Sequence, residues 1–142
     1  MNLRLSRLLI GMVLLFNVQC AVVFLWQPQA YAPSFGLQGV SGAIAIRALG
    51  ILFLMWNVPY VLATWNPRKY NISLYEAIAM QTIGVVGESL LLGFLPAGYE
   101  SIRPSIWRFI FFDGFGLVAL CMAFWLSRTP PPQPLETTLE EG

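Results

Sequence analysis

The chain contains no histidine. That absence removes histidine metal sites, bis-histidine haem ligation and any imidazole proton relay. Charge is scarce too, at 11% of 142 residues, where a soluble domain carries roughly 25%. Cysteine is limited to Cys20 and Cys121, on the first and last of four predicted helices. Counting about 1.5 Å per residue, Cys20 falls roughly 18 Å from the cytoplasmic edge and Cys121 much nearer it. A disulfide needs Cα atoms within about 7 Å, so two buried thiols used as small apolar side chains are expected instead. No cysteine pair has metal-ligand spacing and no serine has a histidine base. No metal, no cofactor and no familiar enzyme chemistry is expected.

What the chain has in abundance is apolar residues, 57% of the total. They gather into four runs of near twenty residues, each long enough to cross the roughly 30 Å hydrocarbon core of a bilayer as a helix. The predicted spans are 8–27, 43–65, 73–95 and 104–127, giving an all-α transmembrane four-helix bundle over 1–128. At this length one compact helical unit is expected. Residues 129–142 open with Pro130, Pro131, Pro132 and Pro134 and close on Glu136, Glu140 and Glu141, which predicts an extended, disordered tail.

Basic residues in the short loops orient the spans. Arg4, Arg7, Arg68, Lys69 and Arg128 lie on one side and only Arg103 on the other, so both termini are expected in the cytoplasm and the protein in a bacterial inner membrane. Trp26, Tyr99 and Trp107 mark the outer boundary; Trp65, Tyr70, Tyr75 and Trp125 mark the inner one. Arg4, Arg7 and Ala30-Tyr31-Ala32 also resemble a cleavable secretory signal. The apolar stretch between them is longer than the usual 7–15 residues of a signal core, so an uncleaved helix is expected. Ser73-Leu-Tyr-Glu76 fits a capping box opening the third helix.

Without the tail, eight basic residues face four acidic ones, Glu76, Glu88, Glu100 and Asp113, a balance of +4. This is too sparse for a nucleic-acid surface. Four charges fall inside the spans, all in the outer half: Arg47 and Arg108 about 6 Å deep, Glu88 about 10 Å and Asp113 about 12 Å. Each costs about 2.5–3.5 kcal/mol if left facing lipid at the bilayer centre. Ala77, Gln81, Gly84 and Glu88 share one face of the third helix, and Asp113 shares its face with Gly116 and Leu120. Both faces are expected to look inward. Arg108, about 140° from Asp113 around the helix, is expected to snorkel or to reach Glu100 or Glu88. The expected site sets Arg47 between Glu88 and Asp113, with the surplus negative charge favouring proton uptake by one carboxylate. The same residues also suit an ion-pair network that only holds helix register. A deeper polar layer joins Asn17, Asn57 and Gln81, where an amide can satisfy a carbonyl freed by Pro59.

Several short motifs lack the context their chemistry needs. Asp113-Gly-Phe-Gly116 has neither the strand nor the glycine spacing of a phosphate loop. Asn71-Ile-Ser73 fits a glycosylation sequon but falls on the predicted cytoplasmic side.

Four spans in about 140 residues, Arg47-Ala48-Leu49-Gly50 opening the second helix, and a short basic loop into the third resemble the DoxX-like group of small bacterial membrane proteins. The Gly-x-x-Lys stretch of that group is absent; Trp56-Asn57-Val58-Pro59 stands in its place. The resemblance implies a loose connection with membrane redox or thiol-stress systems and carries over no catalytic residue. The expected role is that of a small accessory or scaffold component, partnered by the lipid bilayer and by a larger membrane complex or further copies of itself. The alternative is a carrier or small-ligand binder using the outer-half charges, linked to protons.

Overall fold

The computed structural model describes residues 2–128. The chain folds into α1 (Asn2–Trp26), α2 (Pro28–Tyr31), a 3-10 turn over Ala32–Phe35, α3 (Gly39–Trp56) and α4 (Val58–Trp65). α5 (Asn71–Gly93), a second 3-10 turn over Glu100–Ile102 and α6 (Arg103–Arg128) complete it. The described residues are all helix, turn and loop, as the apolar runs predict. The acidic tail expected over 129–142 lies outside them.

Three helical stretches are long and apolar enough to cross a membrane: Asn2–Trp26, Gly39–Trp65 and Glu100–Arg128. Their surfaces carry large exposed apolar side chains such as Leu8, Ile44, Met55, Phe115 and Trp125, a distribution that water does not favour and lipid does. The run expected at 73–95 does form a helix, the 23-residue α5. Glu76, Gln81 and Glu88 dilute its apolar content, so it is not among the three.

α1 explains the packing. Its buried residues, Ser6, Ile10, Val13, Asn17, Ala21 and Phe24, repeat at three and four positions and form one stripe. That stripe packs against α6 on one side and against α3 and α4 on the other, while α5 packs between α4 and α6. Residues 2 and 128 share one end of the bundle, where Ser6 Oγ donates to the Ala123 carbonyl at 2.7 Å. At this terminal end Arg7 and Arg68 donate to the carbonyls of Thr64 and Ser127. These are last-turn acceptors with no partner inside their own helices. The loops 27–38 and 94–102 meet at the opposite, far end, where a Cβ on Gly36 would lie 2.9 Å from Ile102 Cδ1.

The second predicted helix is broken. Asn57 N turns back to the Leu54 carbonyl at 3.2 Å, and Pro59 two residues later has no N–H to continue the ladder. The consequence is tertiary. α4 stays in the bundle beside α5, whereas α3 leans on α1 and makes at most grazing contact with α5 and α6. Gly50 allows that lean, since a Cβ there would sit 3.0 Å from the Ala21 carbonyl oxygen. Four helices thus surround the core at the terminal end, with Ile10, Leu74, Ala77, Leu120 and Ala123 filling it. Toward the far end the wall between α3 and α5 is missing.

Two local expectations fail. The capping box at Ser73 does not form: α5 begins at Asn71, its N-cap Tyr70 makes no side-chain bond, and Ser73 is buried inside the helix. Asn66 opens that turn instead, its Oδ1 accepting from the amides of Arg68 and Lys69. Both cysteines are free, but only Cys20 is half-buried; Cys121 is exposed on the outward face of α6. Helical phase places it there, one position beyond the buried Leu120.

Candidate functional site

A chain of polar side chains crosses the bundle where it begins to open. Tyr60 on α4 donates its hydroxyl proton to Gln81 Oε1 at 2.6 Å, and Gln81 Nε2 donates to Asp113 Oδ1 on α6 at 2.8 Å. The same tyrosine hydroxyl also lies 3.2 Å from the Ala77 carbonyl, and Asn17 of α1 lines the cavity beside it. α4, α5 and α6 are therefore tied through Tyr60 and Gln81. Asn17, Tyr60 and Gln81 are each buried, and in a setting without water such bonds are the cheapest way to place polar atoms.

Glycine makes the crossing possible. Opposite Gln81 stands Gly116, where a Cβ would lie 2.6 Å from Gln81 Nε2. Opposite Asp113 stands Gly84, where a Cβ would overlap Asp113 Oδ2. Each polar side chain occupies the space that a glycine leaves on the partner helix, so α5 and α6 interlock reciprocally.

Beyond this crossing, toward the far end, lies a cavity of about 780 Å³, within the roughly 300–1,000 Å³ of ligand pockets. Phe24, Phe35, Phe53 and Phe109 supply an aromatic wall. The Phe24 ring sits 5.9 Å from Phe35, 6.0 Å from Phe53 and 6.4 Å from Phe109, edge-on to each. Glu88 and Asp113 are the only charged residues among those lining it. Trp56, Ile83, Leu91 and Phe94 also line it and are at the same time exposed on the molecular surface. With at most grazing contact between α3 and α5, the cavity opens sideways, through an apolar mouth.

The expected site is reorganised. Glu88 and Asp113 do reach one space, but Arg47 does not join them. It is exposed on α3 and enters no ion pair or hydrogen bond among the described residues. Its turn of helix lies above the break at Asn57, on the segment that leans away from α5. Arg108 is also exposed, and its Nη2 donates to Ser105 Oγ at 3.1 Å rather than to Glu88 or Glu100. Glu100 instead accepts from the amide of Gly98. The carboxylates therefore face the cavity without a guanidinium between them.

The polar layer holds two of its three members together. Asn17 and Gln81 both line the cavity beside Tyr60, which bonds to Gln81. Asn57 is buried nearby but turns its Nδ2 to the Phe53 carbonyl at 2.6 Å, the acceptor that its own displaced backbone amide vacates. Its Oδ1 and Glu88 Oε2 are buried with no hydrogen-bond partner among the described residues. Tyr60 is the residue that sequence reasoning missed. Unlike Tyr70, Tyr75 and Tyr99 it lies inside a predicted span rather than at a boundary, three positions after Asn57 on the same helical face. That position was the available signal. No family model, curated protein or solved structure matches the chain, so the site is read from its own geometry.

Proposed function

We propose that this is a four-span protein of a bacterial inner membrane, both termini cytoplasmic, whose side-opening cavity takes a small amphipathic molecule from the bilayer. α5 serves as the fourth span. At about 1.5 Å per residue it is about 35 Å long, and two of its polar groups, Gln81 and Glu88, line the cavity rather than the lipid face. Its exposed hydroxyls, Thr82 and Ser89, donate to the carbonyls of Ile78 and Val85 in their own helix, which spares lipid an unpaired polar group. The clustering of Arg4, Arg7, Arg68, Lys69 and Arg128 at the terminal end supports a cytoplasmic placement of that end.

The observation that carries the ligand reading is the cavity itself: apolar at the mouth, aromatic in the wall, and polar chiefly where Asn57, Gln81, Glu88 and Asp113 line it. That gradient suits a molecule with a hydrocarbon body and a polar head. Trp56 at the mouth is a built-in reporter. In nanodiscs, bromododecanol is expected to quench Trp56 emission saturably, and Trp56→Phe is expected to remove the saturable part. Quenching that grows linearly with probe and is equal in both proteins indicates simple partition into lipid, and the reading then fails.

Arg47 favours a second reading, as an accessory subunit. An arginine exposed on a lipid-facing helix is costly, and an acidic side chain of a partner would neutralise it. Mild detergent extraction should then recover the chain with a larger complex, and Arg47→Leu should reduce that recovery severalfold. Recovery of unaltered and Arg47→Leu protein alike as the same small particle speaks against it.

A further inference from the structure

The floor of the cavity is short of donors. Asn57, only 3% exposed, presents an Oδ1 with no donor, and Glu88 Oε2 has none either. Asp113 receives one hydrogen bond, from Gln81 to Oδ1. The nearby donors already serve acceptors inside the protein: the Tyr60 hydroxyl serves Gln81, one Gln81 N–H serves Asp113 and one Asn57 N–H serves Phe53. Buried acceptors without donors are expensive, so this lining favours a head group that brings its own donors.

Charge points the same way. No lysine or arginine lines the cavity. Glu88 and Asp113 share the lining, and no ion pair engages either of them among the described residues. Arg47 is exposed, and Arg108, exposed as well, is held on Ser105 at the rim. An anionic head group would meet two carboxylates, and a neutral acceptor would compete for the few remaining N–H and O–H groups of Gln81, Asn57 and Ser105. The aromatic wall adds a third preference, since ring faces attract cations and, in desolvated sites, by about 2 kcal/mol or more.

Resting on the reading of the cavity as a ligand site, we infer that it selects a lipophilic ammonium. The head group donates to Glu88, Asp113 and Asn57, and the hydrocarbon body lies along the wall formed by Phe24, Phe53 and Phe109. Selection by a carboxylate-lined, donor-poor floor distinguishes this ligand from an alcohol, a fatty acid or a lipid phosphate.

Three probes with the same chain separate the possibilities in zwitterionic nanodiscs, read by Trp56 quenching: bromododecylammonium, bromododecanol and bromododecanoate. The ammonium is expected to bind at least about tenfold tighter than the alcohol, the scale of a charge-assisted hydrogen bond, with the carboxylate weakest. Glu88→Gln keeps shape and removes charge; it should weaken ammonium binding several times more than alcohol binding and so erase most of the margin. Equal binding of ammonium and alcohol, a preference for the carboxylate, or an intact margin in Glu88→Gln overturns the ammonium assignment while leaving the cavity as a ligand site. No saturable quenching by any of the three overturns both. Should Glu88→Gln fail to fold, the ranking on unaltered protein decides alone.

Discussion

Gly116→Ala is expected to destabilise the protein markedly, while Gly114→Ala, two positions away on the same helix, is not. A methyl at Gly116 would sit 2.6 Å from Gln81 Nε2 and 3.4 Å from Val13 Cγ1. A side-chain amide usually yields to such a clash by rotating. This one is held at both ends, by Tyr60 at 2.6 Å and by Asp113 at 2.8 Å, so rotation breaks both bonds in a place without water to replace them. The other escape is to push α5 and α6 apart along their interlocked faces. Overpacking of this kind costs about 1–3 kcal/mol, and two membrane hydrogen bonds at about 0.6 kcal/mol each fall within the same range.

At Gly114 nothing lies within 4 Å of an added Cβ. Alanine there removes only the backbone freedom of glycine, worth about 0.5–1 kcal/mol in favour of the folded state. Thermal unfolding in detergent should place the two variants on opposite sides of the unaltered protein, Gly116→Ala lower by roughly 4–12 °C at about 4 °C per kcal/mol. Equal midpoints for the two would mean that Gln81 is not pinned and that the crossing has another basis.

Gly87→Phe is the second large effect, and it concerns binding rather than folding. Gly87 lines the cavity, and no atom outside its own helix backbone lies within 4 Å of a Cβ built on it. A phenyl ring placed there enters the space a ligand needs without touching the packed faces of α5. Forcing a ligand past a surplus side chain costs about 1–3 kcal/mol, so bromododecanol affinity should fall about fivefold to a hundredfold. The thermal midpoint should hardly move. Unchanged saturable quenching of Trp56 in Gly87→Phe would put the probe elsewhere than in the cavity.

Both expectations rest on how the second helix is interrupted. Pro59 withholds an amide, Asn57 folds its backbone N–H back to Leu54 and its side chain to Phe53, and the segment beyond, α3, leans toward α1. The aromatic cluster around Phe24 and the far-end loop through Tyr31 and Phe35 hold it there. The cavity is the volume this lean leaves beside α5. An unbroken helix of the same composition has no such reason to leave α5, and the two carboxylates would then lie within a closed bundle.

Much of the architecture was legible before any coordinates. Apolar runs of near twenty residues determine helices of membrane length, and the three-and-four spacing within α5 and α6 determines that Gln81, Gly84 and Glu88 share a face, as do Asp113 and Gly116. These are properties of one helix at a time, set by 3.6 residues per turn. Pairing between helices is of another kind. Whether Arg47 meets Glu88 depends on the rotation of α3 about its axis and on its tilt beyond Asn57, neither of which hydropathy encodes. Charge complementarity alone predicted an ion pair that the packing of α3 against α1 prevents. In the same way Tyr60 reads as one more apolar-span residue until α4 and α5 are brought together and its hydroxyl finds Gln81. Local periodicity sets which side chains travel together on a helix. Crossing geometry, governed by glycine contacts, a proline break and aromatic packing, sets which of them meet.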